Sequence, residues 1–124
     1  MKKPFALVIE DDPKLGVILE TSLRQAGYDT ALDSRGDQFM EKLAIADPTI
    51  IFLDLHLPYA SGIDILRQIR SDERCQKASV VVTTADLFLA KSLQDQAEYV
   101  LLKPVSVGHL LDLARKLHPD NAVI

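Results

Sequence analysis

The sequence predicts an α/β fold, a doubly wound five-stranded parallel sheet with five helices covering its two faces. Three observations lead there. Short apolar runs alternate with helical patterns, and the alternation occurs five times along the chain. Runs such as Ile50-Ile51-Phe52-Leu53 and Val80-Val81-Val82 are continuous rather than alternating, so both faces of each strand must be covered. Right-handed crossovers then restrict how such a sheet can be wound.

The elements follow in order. Ala6-Leu7-Val8-Ile9 is the first strand. Asp12 ahead of Pro13 suits an N-cap followed by the first helical turn. Leu15, Ile18, Leu19, Leu23 and Ala26 share one face of that helix, and Gly27 supplies its stop. A weak strand is expected around Thr30–Leu32. Ser34 can then cap a second helix that buries Phe39 and Leu43 and ends before Asp47-Pro48. After the strand that ends at Asp54, Ile63, Ile65, Leu66 and Ile69 mark the third helix. Asp86 is placed to cap the fourth, where Leu89 and Leu93 pair at i,i+4, and core packing is expected for Leu87 and Phe88. Ser106 is placed to cap the fifth, with Val107, Leu110, Leu111, Ala114 and Leu117 facing inward as far as His118-Pro119.

At 124 residues the chain suits a single domain, 1–124, in which 119–124 reads as a tail or a severed linker. No apolar stretch approaches the ~18 residues of a membrane span. The run after Met1-Lys2-Lys3-Pro4 is too short for a secretory signal, so a cytoplasmic location is expected. The lone Cys75 rules out an internal disulfide and a thiolate metal cluster. A net charge of −4 argues against this domain gripping nucleic acid through a basic patch. His109 and His118 have no second ligand at metal spacing and read as solvated.

The polar residues at the strand ends carry the chemistry. Glu10-Asp11-Asp12 follows the first strand, Asp54 ends the third, Thr84 the fourth, and Lys103 follows Val100-Leu101-Leu102. In an open parallel sheet these ends lie along one edge. Ligands bind there where the winding reverses, which in the flavodoxin-like order 2-1-3-4-5 falls between strands 1 and 3. Acids, a hydroxyl and an amine therefore meet in one place.

Those residues resemble the receiver domain of two-component response regulators over nearly the whole chain. The resemblance rests on Glu10-Asp11, on Asp54 43 positions after Asp11, on Thr84-Ala85 30 positions after Asp54, and on Lys103-Pro104. The loop Asp54-Leu55-His56-Leu57-Pro58, with Gly62 eight after the aspartate, also fits. It implies a phosphoprotein: Asp54 is the phosphoacceptor, since a carboxylate can act as a nucleophile toward phosphorus. Packed acids repel each other and an incoming phosphate, so a hard divalent cation is needed, and Mg2+ suits Glu10, Asp11 and Asp54. The resemblance adds the main-chain carbonyl of His56 as a further ligand. Lys103 would meet one phosphoryl oxygen and Thr84 another, with Ala85 leaving room for the leaving group. Strand alternation sends Thr83 to the opposite face. The Lys103–Pro104 bond is expected to be cis, as is usual in receivers. Asp12 as a metal ligand in place of Glu10 is the register alternative. His56 and Asp86, where receivers tune dephosphorylation, read equally well as solvent-exposed. The partners implied are a histidine kinase or phosphotransfer protein and an output partner. The family also raises dimerisation through the face made by helix 4, strand 5 and helix 5.

The chain departs from the family in one region. Where receivers carry an aromatic switch residue three before the lysine, Val100 stands, with Tyr99 one place earlier and so on the opposite face. Gln96 replaces the usual glycine ahead of strand 5. Thr84 to Lys103 spans 19 positions, roughly one helical turn of ~3.6 residues shorter than usual. The expectation is that phosphorylation acts by shifting the loop after strand 4 without an aromatic rotamer switch, changing Thr84–Leu89 but not Tyr99. Three readings compete. A haloacid-dehalogenase-type phosphatase would want an acid where His56 stands. Flavin or dinucleotide binding would want a glycine-rich turn where Glu10-Asp11-Asp12-Pro13 stands. A pseudo-receiver, an interaction module independent of phosphorylation, is the main alternative and draws its support from Val100.

Overall fold

The structure, a computed structural model, describes residues 3–120. Strands β1 (Phe5–Ile9), β2 (Asp29–Asp33), β3 (Pro48–Asp54), β4 (Ser79–Thr84) and β5 (Tyr99–Leu102) alternate with helices α1 (Pro13–Gln25), α2 (Phe39–Lys42), α3 (Gly62–Ser71), α4 (Leu87–Ser92) and α5 (Val107–Leu117). All strand pairings are parallel, and the order is β2-β1-β3-β4-β5. The winding reverses between β1 and β3, as predicted.

The central strands are buried because their side chains alternate between two separate cores. Leu7, Ile9, Ile51, Leu53, Val80 and Val82 face one layer, where Phe39 and Leu43 pack with Ile65, Leu66 and Ile69 of α3. Ala6, Val8, Ile50, Phe52 and Val81 face the other, against Leu19 and Leu23 of α1 and Leu110, Leu113 and Ala114 of α5. Each of the Val, Leu, Ile and Phe side chains among them contributes about 1.5–3 kcal/mol when fully buried. Tyr28 links the second layer: its hydroxyl donates to the Ala114 carbonyl at 2.8 Å. The turn leading into it uses Gly27 at φ +97°, a left-handed conformation that favours glycine.

Several expectations need correction. Ser34 caps no helix. The buried Asp33 carboxylate accepts the N–H groups of Arg35, Gly36 and Gln38 at 3.0, 2.8 and 2.7 Å, holding that stretch as a loop. With those amides engaged and Gly36 at φ +85°, α2 begins only at Phe39. On α1 the phase runs through Gly16, Leu19, Ser22 and Leu23, which turns Ile18 toward solvent. On α5 Leu113 is buried, whereas Val107, in the first turn, is exposed. The six-residue α4 turns Ala90 inward, with Leu93 just beyond its end and Leu89 half-buried, so Leu87 and Phe88 lie outside the core at 56% and 85% exposure. His118 is half-buried edge-on to Tyr28, with ring centroids 5.1 Å apart, while His109 is exposed as expected. Of the expected tail, Pro119 and Asp120 form a short turn, and 121–124 lie outside the described residues. Among the described residues, no helix is long and apolar enough to cross a membrane.

Candidate functional site

Strand phase decides which polar tips meet. Glu10, Asp54 and Lys103 continue the Ala6–Val8, Ile50–Phe52 and Tyr99–Leu101 phases, so all three leave the sheet edge on the α1/α5 side. Thr84 continues the Val80–Val82 phase toward the other layer, the side on which Val100 packs, while Thr83 follows Val81. Tyr99 packs in the α1/α5 layer, on the face opposite Val100.

The edge residues are close together. Lys103 Nζ lies 3.2 Å from Asp54 Oδ2 and 3.6 Å from Glu10 Oε1. Glu10, Asp11 and Asp54 each offer an oxygen within 4.8 Å of the others. Glu10 and Asp54 are buried and Asp11 half-buried. The Asp54 carboxylate is oriented by the His56 backbone N–H, which donates to Oδ1 at 3.0 Å, and Glu10 by the Asp12 N–H at 3.2 Å. Asp12 itself is the α1 N-cap, accepting from Lys14 and Leu15 N–H ahead of Pro13. That engagement, and the grouping of Glu10 with Asp11 and Asp54, disfavours the register in which Asp12 replaces Glu10.

Crowding perturbs the acids. Burial, then the charge of Asp54, raises Glu10 from its ordinary 4.5 to about 7. Burial also works against ionising Asp54, but the His56 N–H, the hydrogen bond with Glu10 and the Lys103 charge outweigh it, and its carboxyl falls below the usual value. Burial disfavours charging Lys103, yet Glu10 and Asp54 together raise it. Among the described residues, Lys103 is the ammonium that faces Glu10 and Asp54, and Asp11 adds a third acid to the group. The all-oxygen donor set fits a hard divalent cation such as Mg2+.

The loops around this edge are fixed by local chemistry. A Cβ on Gly62 would meet the Leu55 Cα at 2.5 Å, so α3 can pass the β3 loop only with glycine there. Asp86 caps α4 through the Leu89 N–H at 3.1 Å, and Ser106 caps α5 through the His109 N–H at 2.9 Å. The Lys103–Pro104 peptide is cis, in line with the family expectation. The Thr84 hydroxyl is fully buried; it accepts from the Asp86 N–H at 3.0 Å and lies 2.6 Å from His56 Nε2. Ala85 is exposed beside it. For His56 the sequence is compatible with both exposure and a site role, and the residue is both exposed and bonded to Thr84. Asp33, which anchors the loop after β2, was missed. An acid directly before Ser34-Arg35-Gly36 was the available signal, because a strand-end carboxylate is well placed to cap a turn.

An open doubly wound sheet with an acid cluster and a lysine at its switch point defines a class of site that can hold a cation and an anionic group together. The family model for the response regulator receiver domain matches residues 6–115, and the chain belongs to that family. It is 39% identical over 125 residues to the transcriptional regulatory protein BaeR of Escherichia coli O6:H1, with 95% of this chain and 51% of that protein covered. It is 31% identical over 109 residues to the DNA-binding response regulator MtrA of Mycolicibacterium smegmatis, covering 88% and 48%. The chain thus spans about half the length of these curated relatives. Among solved structures, a chemotaxis response regulator of Vibrio cholerae superposes at TM-score 0.80 with 18% identity, covering 94% of this chain and 99% of that one, and supports the fold. The receiver domain of a Pseudomonas aeruginosa PAO1 sensor histidine kinase superposes at TM-score 0.79 with 25% identity, covering 94% and 98%. That structure has magnesium coordinated in its active-site cleft.

Proposed function

We propose that the chain, as one receiver domain over residues 1–124, accepts a phosphoryl group on Asp54 in a Mg2+-dependent reaction and thereby changes its affinity for an output partner. The donor is a histidine kinase or a phosphotransfer protein. An Asp54 oxygen forms a bond to phosphorus while the phosphorus–nitrogen bond of the donor phosphohistidine breaks, and the imidazole departs with that electron pair. Attack of water on the same phosphorus later releases phosphate and restores the carboxylate. The domain thus catalyses only its own modification and its own dephosphorylation.

The observation that carries this reading is the 3.2 Å approach of Lys103 to Asp54 within a cluster that also contains Glu10 and Asp11. Glu10, Asp11, Asp54 and the main-chain carbonyl of His56 would hold the Mg2+, which when bound supplies the positive charge that offsets the phosphoryl oxygens. Lys103 orients Asp54 beforehand and meets a phosphoryl oxygen afterwards. Thr84 donates its hydroxyl to another, and the small Ala85 side chain leaves room for it. Val100 stands where an aromatic switch residue is usual, so the shape change is carried by Thr84–Leu89 and not by Tyr99. A cytoplasmic location fits a kinase partner, and the acidic net charge of −4 leaves nucleic-acid binding to other parts of any larger protein.

Val100 also favours a second reading, an interaction module that needs no phosphorylation. Incubation with Mg2+ and acetyl phosphate, read by intact mass, separates the two. A phosphoryl adduct on the wild type that is lost in Asp54→Asn is the expected outcome. No adduct on the wild type over a range of Mg2+ and donor concentrations would favour the second reading.

A further inference from the structure

The contact between His56 and Thr84 ties two loops that leave adjacent strands. His56 is on the loop after β3, and Thr84 ends β4 at the start of the loop into α4. The β3 loop borders a cleft of about 550 Å³ bounded by Asp11, by residues of the stretch from Leu55 to Ile63, and by Leu89 of α4. A threonine hydroxyl has one proton to give and two lone pairs to receive with. Here one lone pair already accepts the Asp86 N–H at 3.0 Å, and among the described residues the hydroxyl's other hydrogen-bond partner is His56 Nε2 at 2.6 Å. Thr84 is fully buried, so water does not compete for that proton.

We propose that His56 is a positioning residue that engages the Thr84 hydroxyl proton in the unmodified chain and must yield it to a phosphoryl oxygen. This rests on the reading of Asp54 as phosphoacceptor. The exchange has two consequences. Phosphoryl capture has to break the His56–Thr84 bond, so His56 opposes occupancy of the site. Once broken, this side-chain tie is gone, leaving the Leu55 N–H to Thr83 carbonyl bond at 3.1 Å between the strand ends, and the two loops beyond it can move more freely relative to each other. In a chain with Val100 in place of an aromatic switch residue, this release couples Asp54 to the loop surface without any change at β5.

Beryllofluoride with Mg2+, a phosphoryl stand-in, gives the test on the full chain. Nitrogen-15 NMR of the free wild type should show His56 Nε2 unprotonated with the proton on Nδ1, and the Nε2 resonance should move on binding. His56→Ala should bind beryllofluoride about 2- to 10-fold more tightly, the span expected for losing one competing hydrogen bond. His56→Gln, whose amide oxygen can accept the same proton, should return most of the way to wild type. In a Thr84→Val background the His56→Ala effect should vanish, which a purely structural role would not produce. Equal affinities for wild type and His56→Ala, an undiminished effect in Thr84→Val, or a proton on Nε2 in the free wild type would overturn the inference alone. No binding of beryllofluoride to the wild type would overturn the phosphoacceptor reading together with it.

Discussion

The carboxyl ends of strands β4 and β5 border two regions built on opposite principles. Toward the β1–β3 switch point, buried charges are matched in detail: Glu10, Asp54 and Lys103 interlock, Asp33 holds the loop after β2, and among the described residues no buried side-chain polar atom lacks a partner. Toward α4 and α5, large apolar side chains stand in solvent instead, with Phe88 at 85%, Leu87 at 56% and Val107 at 47% exposure. One region is constrained because each misplaced charge there is expensive to bury. The other is constrained by little within the chain itself, so it is free to diverge, and that is where the departures from the family fall.

This contrast makes unequal predictions. Replacing Lys103 with Met removes the ammonium that, among the described residues, faces Glu10 and Asp54. Denaturant unfolding at pH 8 without metal should show a loss of about 1–2 kcal/mol, below the value for a fully buried pair because the lysine keeps 26% exposure. The same variant should accept phosphoryl groups poorly. An unchanged unfolding midpoint would mean the carboxylates are already relieved by some other route.

A comparable effect follows from Glu10. Its carboxyl is raised to about 7 in the fold against 4.5 when unfolded, so the stabilisation from its bound proton is complete below 4.5 and is lost as pH rises through 7. Metal-free stability should therefore drop by roughly 2 kcal/mol between pH 5 and pH 8. The lowered Asp54 acts in a different window, losing its contribution only as pH falls below 3.8. Added Mg2+ should stabilise the domain more at pH 8 than at pH 5, because it binds the deprotonated Glu10. A flat profile from pH 5 to 8 would show that Glu10 is not held protonated by burial and Asp54.

The smallest effect belongs to the exposed face. Phe88→Ser should change the unfolding free energy by less than about 0.5 kcal/mol, since almost none of its ring is buried. A loss above ~2 kcal/mol would place Phe88 in the core and collapse the distinction between the two regions.

How much could be read beforehand follows the same division. The sheet was legible because β-branched runs between helical patterns admit few arrangements, and the residues of the polar edge were legible because each closes an apolar run. Helix phase was less so. Leu87 and Phe88 look like core residues until α4 proves too short to turn them inward, and Ile18 and Val107 share the apolar periodicity of neighbours that are buried. The late start of α2 was hidden because Ser34 is a good cap by type, while the stronger acceptor, Asp33, lay one residue earlier. The His56–Thr84 bond joins residues 28 apart, and no local pattern announces such a pairing.

The proposed function requires widely separated strand ends to form one cation-binding hollow around Asp54. Titration with Mn2+, followed by paramagnetic broadening of amide resonances, tests it most directly. Broadening should begin at Glu10, Asp11 and Asp54–His56, extend next to Lys103, be displaced by Mg2+, and weaken greatly in Asp11→Asn. Broadening that starts at exposed surface acids such as Asp64 or Asp95, with the β1 and β3 ends unaffected, would contradict it.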